Sequence, residues 1–330
     1  MKKRLFLIFM LTLVIFLTGC GKENKEKLRQ NFINDTSSLK GYYMEGVLSI
    51  TNNDDTYNYD VKVGFKKDDN FKVTLLNKAN NYEQIILRNT DGVYIVNPSL
   101  NRSFKFQSEW PYNNSQSYLL HNLLNDIRND SDMIFEKTDD SYIFIVKTNY
   151  SNNKDLVKEK IYVDKDKNIK VVEVIDSDDN VKMKMTINNI DYNSDYNVDY
   201  FNLDNNMTVF SEEVDFKKQI DSILYPMYIP QNTYLSGQDK VSLENGERII
   251  MTFAGDYPFM LIQETLSTSD DSLLSVSGDP LQLIDTVGVL DDSSITWVND
   301  GISYYLVSNT LDQEQLVDIA NSMSVASIVK

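Results

Sequence analysis

A single cysteine is the clearest chemical feature of this 330-residue sequence. Cys20 follows Leu17, Thr18 and Gly19, which are one aliphatic residue and two small ones. Upstream lie three basic residues at positions 2–4 and an uncharged apolar run over residues 5–17, which together have the layout of an export signal. That run has 13 residues, too few for a membrane span, which needs about 20.

The stretch that ends at Cys20 is similar to a bacterial lipobox, in which the signal is removed just before the cysteine and the thiol carries diacylglycerol. Two or more acyl chains anchor a protein stably, whereas one chain does not. We interpret residues 1–19 as a lipoprotein signal peptide and residues 20–30 as a lipidated tether, which places the protein on the outer face of the cell membrane. The alternative is a plain signal peptide or short anchor with an incidental cysteine.

Other residues with reactive side chains are few. With one acylated cysteine and one histidine, His121, the mature chain can form neither a disulfide nor the common transition-metal sites. The segments DKDKN and DSDDN contain closely spaced oxygen ligands but lack the later Glu of a calcium loop, so hairpin turns are favoured. There is no glycine-rich phosphate loop and no G-x-S-x-G turn. We therefore predict no catalytic residues, no cofactor, no metal and no enzymatic activity.

Charge limits the partners. The sequence carries a net charge of −17, which becomes −20 once the three basic residues of the signal are removed. Nucleic acid is a poor partner for such a body, because it is also negative. The tether is different, since residues 21–30 hold four cations and two anions, and a basic segment next to a membrane is attracted to anionic headgroups. An ordinary solvated helix start explains the same residues equally well.

The composition changes near residue 210. Thirty of the 35 asparagines precede Met207, and the net charge is −6 over residues 20–210 but −14 over residues 211–330. A hinge-like segment with Pro226 and Pro230 follows the change. We predict two domains, at residues 31–210 and 211–330, both ample for a core.

The first domain has the pattern of an antiparallel meander of about ten strands. Apolar and polar residues alternate in the segments YNYDVKVGF and VKMKMTI, which gives each strand one apolar face. Two helices are predicted to cover that face: one over residues 25–39, and one in SQSYLLHNLLNDIRND, whose leucines fall on a single stripe. The candidate ligand-binding residues are those facing each other across this layer: Tyr59, Val61, Val63, Phe65, Leu120, Leu123 and Leu124. Residues 211–330 read as a small α+β domain.

A family resemblance adds to this pattern. The segment EQIILRNTDGVYIVNPSLNRSFKF (residues 83–106) has a strand, an Asp-Gly turn, a strand and an Asn-Pro turn. It resembles the central hairpin of the LolA-like lipoprotein-carrier superfamily. The two-domain arrangement is similar to sporulation- and germination-associated lipoproteins of Gram-positive bacteria, with a first domain like that of RseB and MucB.

The resemblance implies an α+β fold, in which an open antiparallel β half-barrel with a helical lid precedes the small C-terminal α+β domain. It also implies a concave apolar face that can hold acyl chains. Two departures argue against shuttling between membranes. The chain has its own anchor at Cys20, and Lys66 and Lys67 stand nearest to the position where the carrier has an arginine that contacts the lid.

The sequence favours one function and leaves an alternative. The first is favoured because a one-sided curved sheet with a movable helical cover is a poor way to build only a core. In the first, a membrane-anchored lipoprotein binds an apolar ligand, such as a lipid or acyl chain, in the half-barrel cavity. In the second, a non-enzymatic regulatory lipoprotein of sporulation, germination or envelope stress uses the same scaffold to bind an envelope protein. A cavity of ligand size favours the first function, and a filled core favours the second.

The anchor can be tested directly. We expect Cys20→Ala to release the protein from membranes or to leave it uncleaved, because the variant cannot accept lipid. Membrane fractionation and the mass of the mature N-terminus measure both effects. Cleavage at the same bond with full membrane retention would contradict the lipobox interpretation.

Overall fold

Two large β-sheets, a two-stranded sheet formed by Leu224–Pro226 and Met323–Val325, and three short α-helices make up the part of the chain that the structure describes. The computed structural model describes residues 25–52, 55–106, 108–150, 153–207, 219–266 and 273–325. Cys20 and the signal peptide lie outside these residues, as does the part of the predicted hinge at residues 208–218. The chain divides into two units, residues 1–38 and 39–330, and the first helix, α1 (Lys25–Ser37), belongs to the shorter one.

The first half of the chain supplies most strands of the larger sheet. Its strands from the first half of the chain are β1 (Gly41–Asn52), β2 (Asp55–Lys66), β3 (Asn70–Asn77), β4 (Glu83–Asn89), β5 (Gly92–Asn97) and β6 (Arg102–Phe106). Helix α2 (Leu120–Asn129) follows. The remaining strands of this half are β7 (Ile134–Lys137), β8 (Ser141–Lys147), β9 (Leu156–Asp164), β10 (Ile169–Asp176) and β11 (Val181–Asp191).

The described later part of the chain contains ten more strands. These are β12 (Leu224–Pro226), β13 (Thr233–Leu243), β14 (Gly246–Gly255), β15 (Phe259–Thr265), β16 (Leu273–Ser275), β17 (Asp279–Gln282), β18 (Val287–Leu290), β19 (Ser294–Asn299), β20 (Ile302–Val307) and β21 (Met323–Val325). Helix α3 (Gln313–Asn321) lies between the last two strands. Short 3₁₀ helices occur at Pro98–Leu100 and Val198–Phe201.

The larger sheet has twelve strands in the order β16-β6-β5-β4-β3-β2-β1-β11-β10-β9-β8-β7. The chain starts at β1, winds outward to β6, crosses to β7 and winds back to β11, which pairs with β1. All pairs are antiparallel except β16 with β6. The sheet is open, because its order begins at β16 and ends at β7.

Helix α2 lies in the one crossover of this meander, between the outer strands β6 and β7. The face of the sheet that carries Tyr59, Val61, Val63 and Phe65 is called the inner face below. The ring of His121, on α2, lies 4.2 Å from the ring of Phe65, so the helix packs on the inner face. The crossover therefore positions α2 as the cover predicted for this sheet.

The opposite, outer face is covered by the segment after β11. Phe201 is buried against Leu87 and Tyr94, and Tyr196 and Tyr200 pack beside them. The two acidic segments considered for calcium are hairpin turns. In the turn after β10, Asp176 accepts hydrogen bonds from the backbone amides of Asp178 and Asn180, at 3.0 and 2.7 Å.

The second sheet has seven antiparallel strands in the order β13-β14-β15-β20-β19-β18-β17. Helix α3 begins with a capping box, in which Asp312 and Gln315 each accept a hydrogen bond from the other's backbone amide. Its apolar residues Leu316 and Ile319 are buried in a core that also contains Trp297. This arrangement confirms an α+β fold with an open antiparallel sheet and a helical lid.

The predicted domain boundary at residue 210 stays a prediction, as does the cover role of α1. Within the described residues, no helix is long and apolar enough to cross a membrane.

We expect limited proteolysis of the full-length protein to cut first between residues 208 and 230, where the composition changes. Mass spectrometry of the first fragments measures the position. First cuts elsewhere, with a protected core running through residue 220, would contradict the boundary.

Candidate functional site

The inner face is filled at the end covered by α2. All seven candidate ligand-binding residues are buried, with exposed fractions of 4% or less. Phe65 packs against Phe71, with ring centroids 4.8 Å apart, and both rings contact His121. Burial lowers the pKa of His121 to about 4, so this imidazole is neutral at neutral pH. The structure brings the predicted residues together as a packed layer, and their ligand-binding role stays a prediction.

The other end of the inner face is occupied by the chain's own residues 283–287, which we call the docking loop. This loop connects β17 to β18 in the second sheet. Tyr59 donates a hydrogen bond from Oη to the carbonyl oxygen of Ile284 at 2.7 Å, and Asn77 donates to the carbonyl oxygen of Asp285 at 3.2 Å. The docking loop therefore joins the second sheet to the first.

Gln84 makes the most extensive of these contacts. It lies opposite Leu75, which lies opposite Val61, so its side chain is on the inner face. Its Oε1 accepts from the backbone amide of Val287 at 2.6 Å and from the hydroxyl of Thr286 at 2.9 Å. Its Nε2 donates to the carbonyl oxygen of Val287 at 3.1 Å. The amide thus satisfies both backbone groups of one residue in a site with almost no solvent access.

Arg88 holds the chain segment that leads to α2. Its guanidinium donates to the backbone carbonyl oxygens of Ser108 and Trp110, and it lies 5.5 Å from the ring of Tyr112. Lys66, by contrast, donates to Asp195 at 3.0 Å, in the segment that leads to the outer-face cover. Arg88 therefore anchors the segment that leads to α2. The sequence analysis pointed to Lys66 and Lys67 for the lid contact and did not single out Arg88.

A cleft of about 890 Å³ opens where the first sheet, the docking loop and α3 meet. This volume is within the range of small-molecule and peptide pockets. Its apolar lining includes Leu48, Ile50 and Met183 of the first sheet, with Leu283 of the docking loop, Val317 of α3 and Met323 of β21. Its carboxylates are Asp55, Asp155, Glu314 and Asp318. We call this cavity the end cleft; none of the seven predicted ligand-binding residues lines it.

A buried polar cluster lies beneath α2. Glu159, on β9, is fully buried between Val146 and Val174 of the neighbouring strands, and Tyr150 donates a hydrogen bond to its Oε1 at 3.1 Å. Burial, and then the nearby charge of Asp126 on α2, raise the pKa of Glu159 to about 8. The Glu159 carboxyl is therefore largely protonated at neutral pH.

Asp126 ties α2 to the same region of the sheet. Ser115 donates a hydrogen bond to its Oδ2 at 2.8 Å, and the Ser115 hydroxyl accepts one from the backbone amide of Asn149, just after β8. Burial raises the pKa of Asp126 to about 6. No group of three or more His, Cys, Asp or Glu residues in the described part of the chain is placed to hold a metal ion.

Comparisons with known proteins give the relatives of the chain. The model of a family described as sporulation protein YdcC-like matches residues 1–201. The sporulation protein YdcC of Bacillus subtilis (strain 168) is 34% identical over 327 residues, which are 98% of this chain and 97% of that protein.

Solved structures are more distant. The MucA/MucB complex of Pseudomonas aeruginosa aligns with a TM-score of 0.34 and 11% identity, covering 91% of this chain and 99% of that chain. A LolA superfamily protein, NE2245 of Nitrosomonas europaea, aligns with a TM-score of 0.31 and 13% identity, covering 53% and 98%. The family assignment is based on the family model and the B. subtilis relative.

The buried Glu159 gives a prediction about pH. Because its folded pKa lies above the value of 4.5 for a free Glu side chain, the folded state holds the extra proton between these two values. The contribution of Glu159 to the free energy of unfolding should therefore fall as pH rises from about 5 to about 8, by up to about 1.4 kcal/mol per pH unit. Glu159→Gln should flatten this slope, because a neutral amide replaces the titrating carboxyl.

Urea unfolding of the full-length protein across this pH range measures the slope. Glu136→Gln, which removes one exposed carboxylate from β7, is the matched control for the change in charge. An unchanged pH slope in Glu159→Gln would show that Glu159 does not titrate in this window.

Proposed function

Because the chain belongs to the sporulation protein YdcC-like family, we propose that it is a non-enzymatic scaffold protein of sporulation that binds a protein partner. Lipid on Cys20 holds it on the outer face of the cell membrane. The observation that carries the proposal is the filled inner face. Helix α2 covers one end of that face and the docking loop covers the other.

The inner face is filled under α2 and the docking loop, and the end cleft, which is large enough for a ligand, carries four carboxylates that would repel the anionic head group of a lipid or fatty acid. Both observations favour a scaffold over a lipid carrier. An acyl chain needs a continuous apolar space, and protein interiors are packed too densely to provide one without a cavity. The side chains of Val63 and Leu123 are fully buried, and Gln84 fixes the docking loop with hydrogen bonds that a lipid tail cannot replace. A lipid entering here would displace α2 or the docking loop.

The reactive groups also support a binding role. The only histidine of the sequence is neutral and packed among aromatic rings. The carboxyls with strongly raised pKa values, Glu159 and Asp126, are hydrogen-bonded to Tyr150 and Ser115 within the layer between α2 and the sheet. These groups stabilise the lid rather than face a substrate.

Two variants of Val63 test the proposal. As a core residue, Val63→Ala should lower the free energy of unfolding by roughly 2 kcal/mol, through lost burial and the cavity left behind. Val63→Asn should cost about 1–3 kcal/mol more, because its amide has no partner in a dry core. Urea unfolding of the full-length protein measures both effects, and a fluorescent fatty acid tests the unsubstituted protein for lipid binding.

Val181→Ala, in the exposed part of β11, is the matched control and should change stability little. We expect no saturable fatty-acid binding to the unsubstituted protein. Saturable binding that Val63→Ala weakens, with little loss of stability, would instead identify the inner face as a lipid site and overturn the scaffold proposal.

A further inference from the structure

We propose that the end cleft is the site where the partner docks, and that it receives an extended, positively charged polypeptide segment with apolar residues between the cations. This inference rests on the proposed function, since it names the surface and the chemistry by which a protein partner is recognised. It uses residues other than those of the inner-face core. Its failure is therefore separable from failure of the scaffold proposal.

The charges of the end cleft are unbalanced. Four carboxylates line it, those of Asp55, Asp155, Glu314 and Asp318, and within the described residues none of them forms an ion pair. The single lining cation, Lys182, lies 3.4 Å from a carboxylate oxygen of Asp176. The cleft therefore presents negative charge that the rest of the molecule leaves unneutralised.

The unbalanced negative charge affects the pKa of one carboxyl group, that of Asp318. It projects from α3 toward the cleft, and its pKa is raised by burial and then by the carboxylates of Glu314 and Asp312. A cation in the cleft would relieve this repulsion, because an opposite charge within a few ångströms favours the ionised carboxylate. Lysine or arginine side chains of a partner supply such a cation.

The apolar lining indicates that the ligand carries apolar groups as well as cations, unlike a small amine. Leu48, Ile50 and Met183 extend the inner face into the cleft, and Val317 and Met323 approach from the α3 side. Methionine and tyrosine side chains suit adaptable protein-binding surfaces, because the former are flexible and the latter combine an apolar ring with a polar tip.

Labelled synthetic peptides test the proposal on the full-length protein, with fluorescence anisotropy as the measurement. A peptide of about ten residues, alternating lysine and leucine, should bind saturably and more weakly as salt increases. A glutamate–leucine peptide should not bind. A lysine–serine peptide and spermine carry the charge without the apolar groups, and both should bind much more weakly than the lysine–leucine peptide.

The double variant Asp155→Asn with Asp318→Asn should weaken binding roughly tenfold, because it removes two charges from the site. The matched control is Asp139→Asn with Asp140→Asn, in the exposed turn between β7 and β8, which changes the net charge equally. Thr51→Trp, a lining position, should weaken binding by filling space without any change of charge.

Equal loss of binding in the double variant and the control would show that the peptide senses only net charge, and would overturn the inference. Equal affinity for spermine would do the same, since the apolar lining would then be irrelevant. No peptide binding, combined with Val63 variants that behave as core variants, would remove the end cleft as the docking site and leave the scaffold proposal standing.

Discussion

The arrangement of the two sheets depends on one buried amide. Gln84 donates to the carbonyl oxygen of Val287 and accepts from its amide, as the backbone of a neighbouring strand would, and it does so on a mainly apolar face. A buried polar group without partners costs about 1–3 kcal/mol, so these bonds fix the docking loop in one position. Because that loop covers one end of the inner face, Gln84, with Tyr59 and Asn77, affects both how the sheets are joined and what the inner face can hold.

The position of the docking loop also separates two roles of the inner face, ligand binding and core formation, which the sequence alone could not tell apart. A sheet with one apolar face and a helical cover can enclose a ligand or only a core. Here α2 and the docking loop supply the covering atoms, and the space large enough for a ligand lies at their margin, in the end cleft. In the function proposed here, recognition and stability are therefore carried by different residues of one continuous apolar surface.

The spacing of apolar residues along the chain predicted the strands of the first half, the helix α2 and the burial of the leucines on one side of that helix. These features follow from local periodicity. The contacts of Gln84, Arg88 and Glu159 could not be predicted, because each depends on residues distant in sequence. Gln84 and Arg88 flank an ordinary apolar strand segment, and Glu159 occupies an inward position that alternation alone assigns to an apolar residue. The end cleft was missed because its lining comes from both halves of the chain.

The strand order also has a consequence for the order in which the chain folds. Strand β1 lies in the middle of the larger sheet, yet its second neighbour is β11, so that Val47 pairs with Thr186. A chain synthesised from its N-terminus keeps one side of β1 unpaired until residues 181–191 are available. Unpaired strand edges recruit other chains. The delay before this central pairing closes therefore leaves the incompletely folded chain open to aggregation through the free edge of β1.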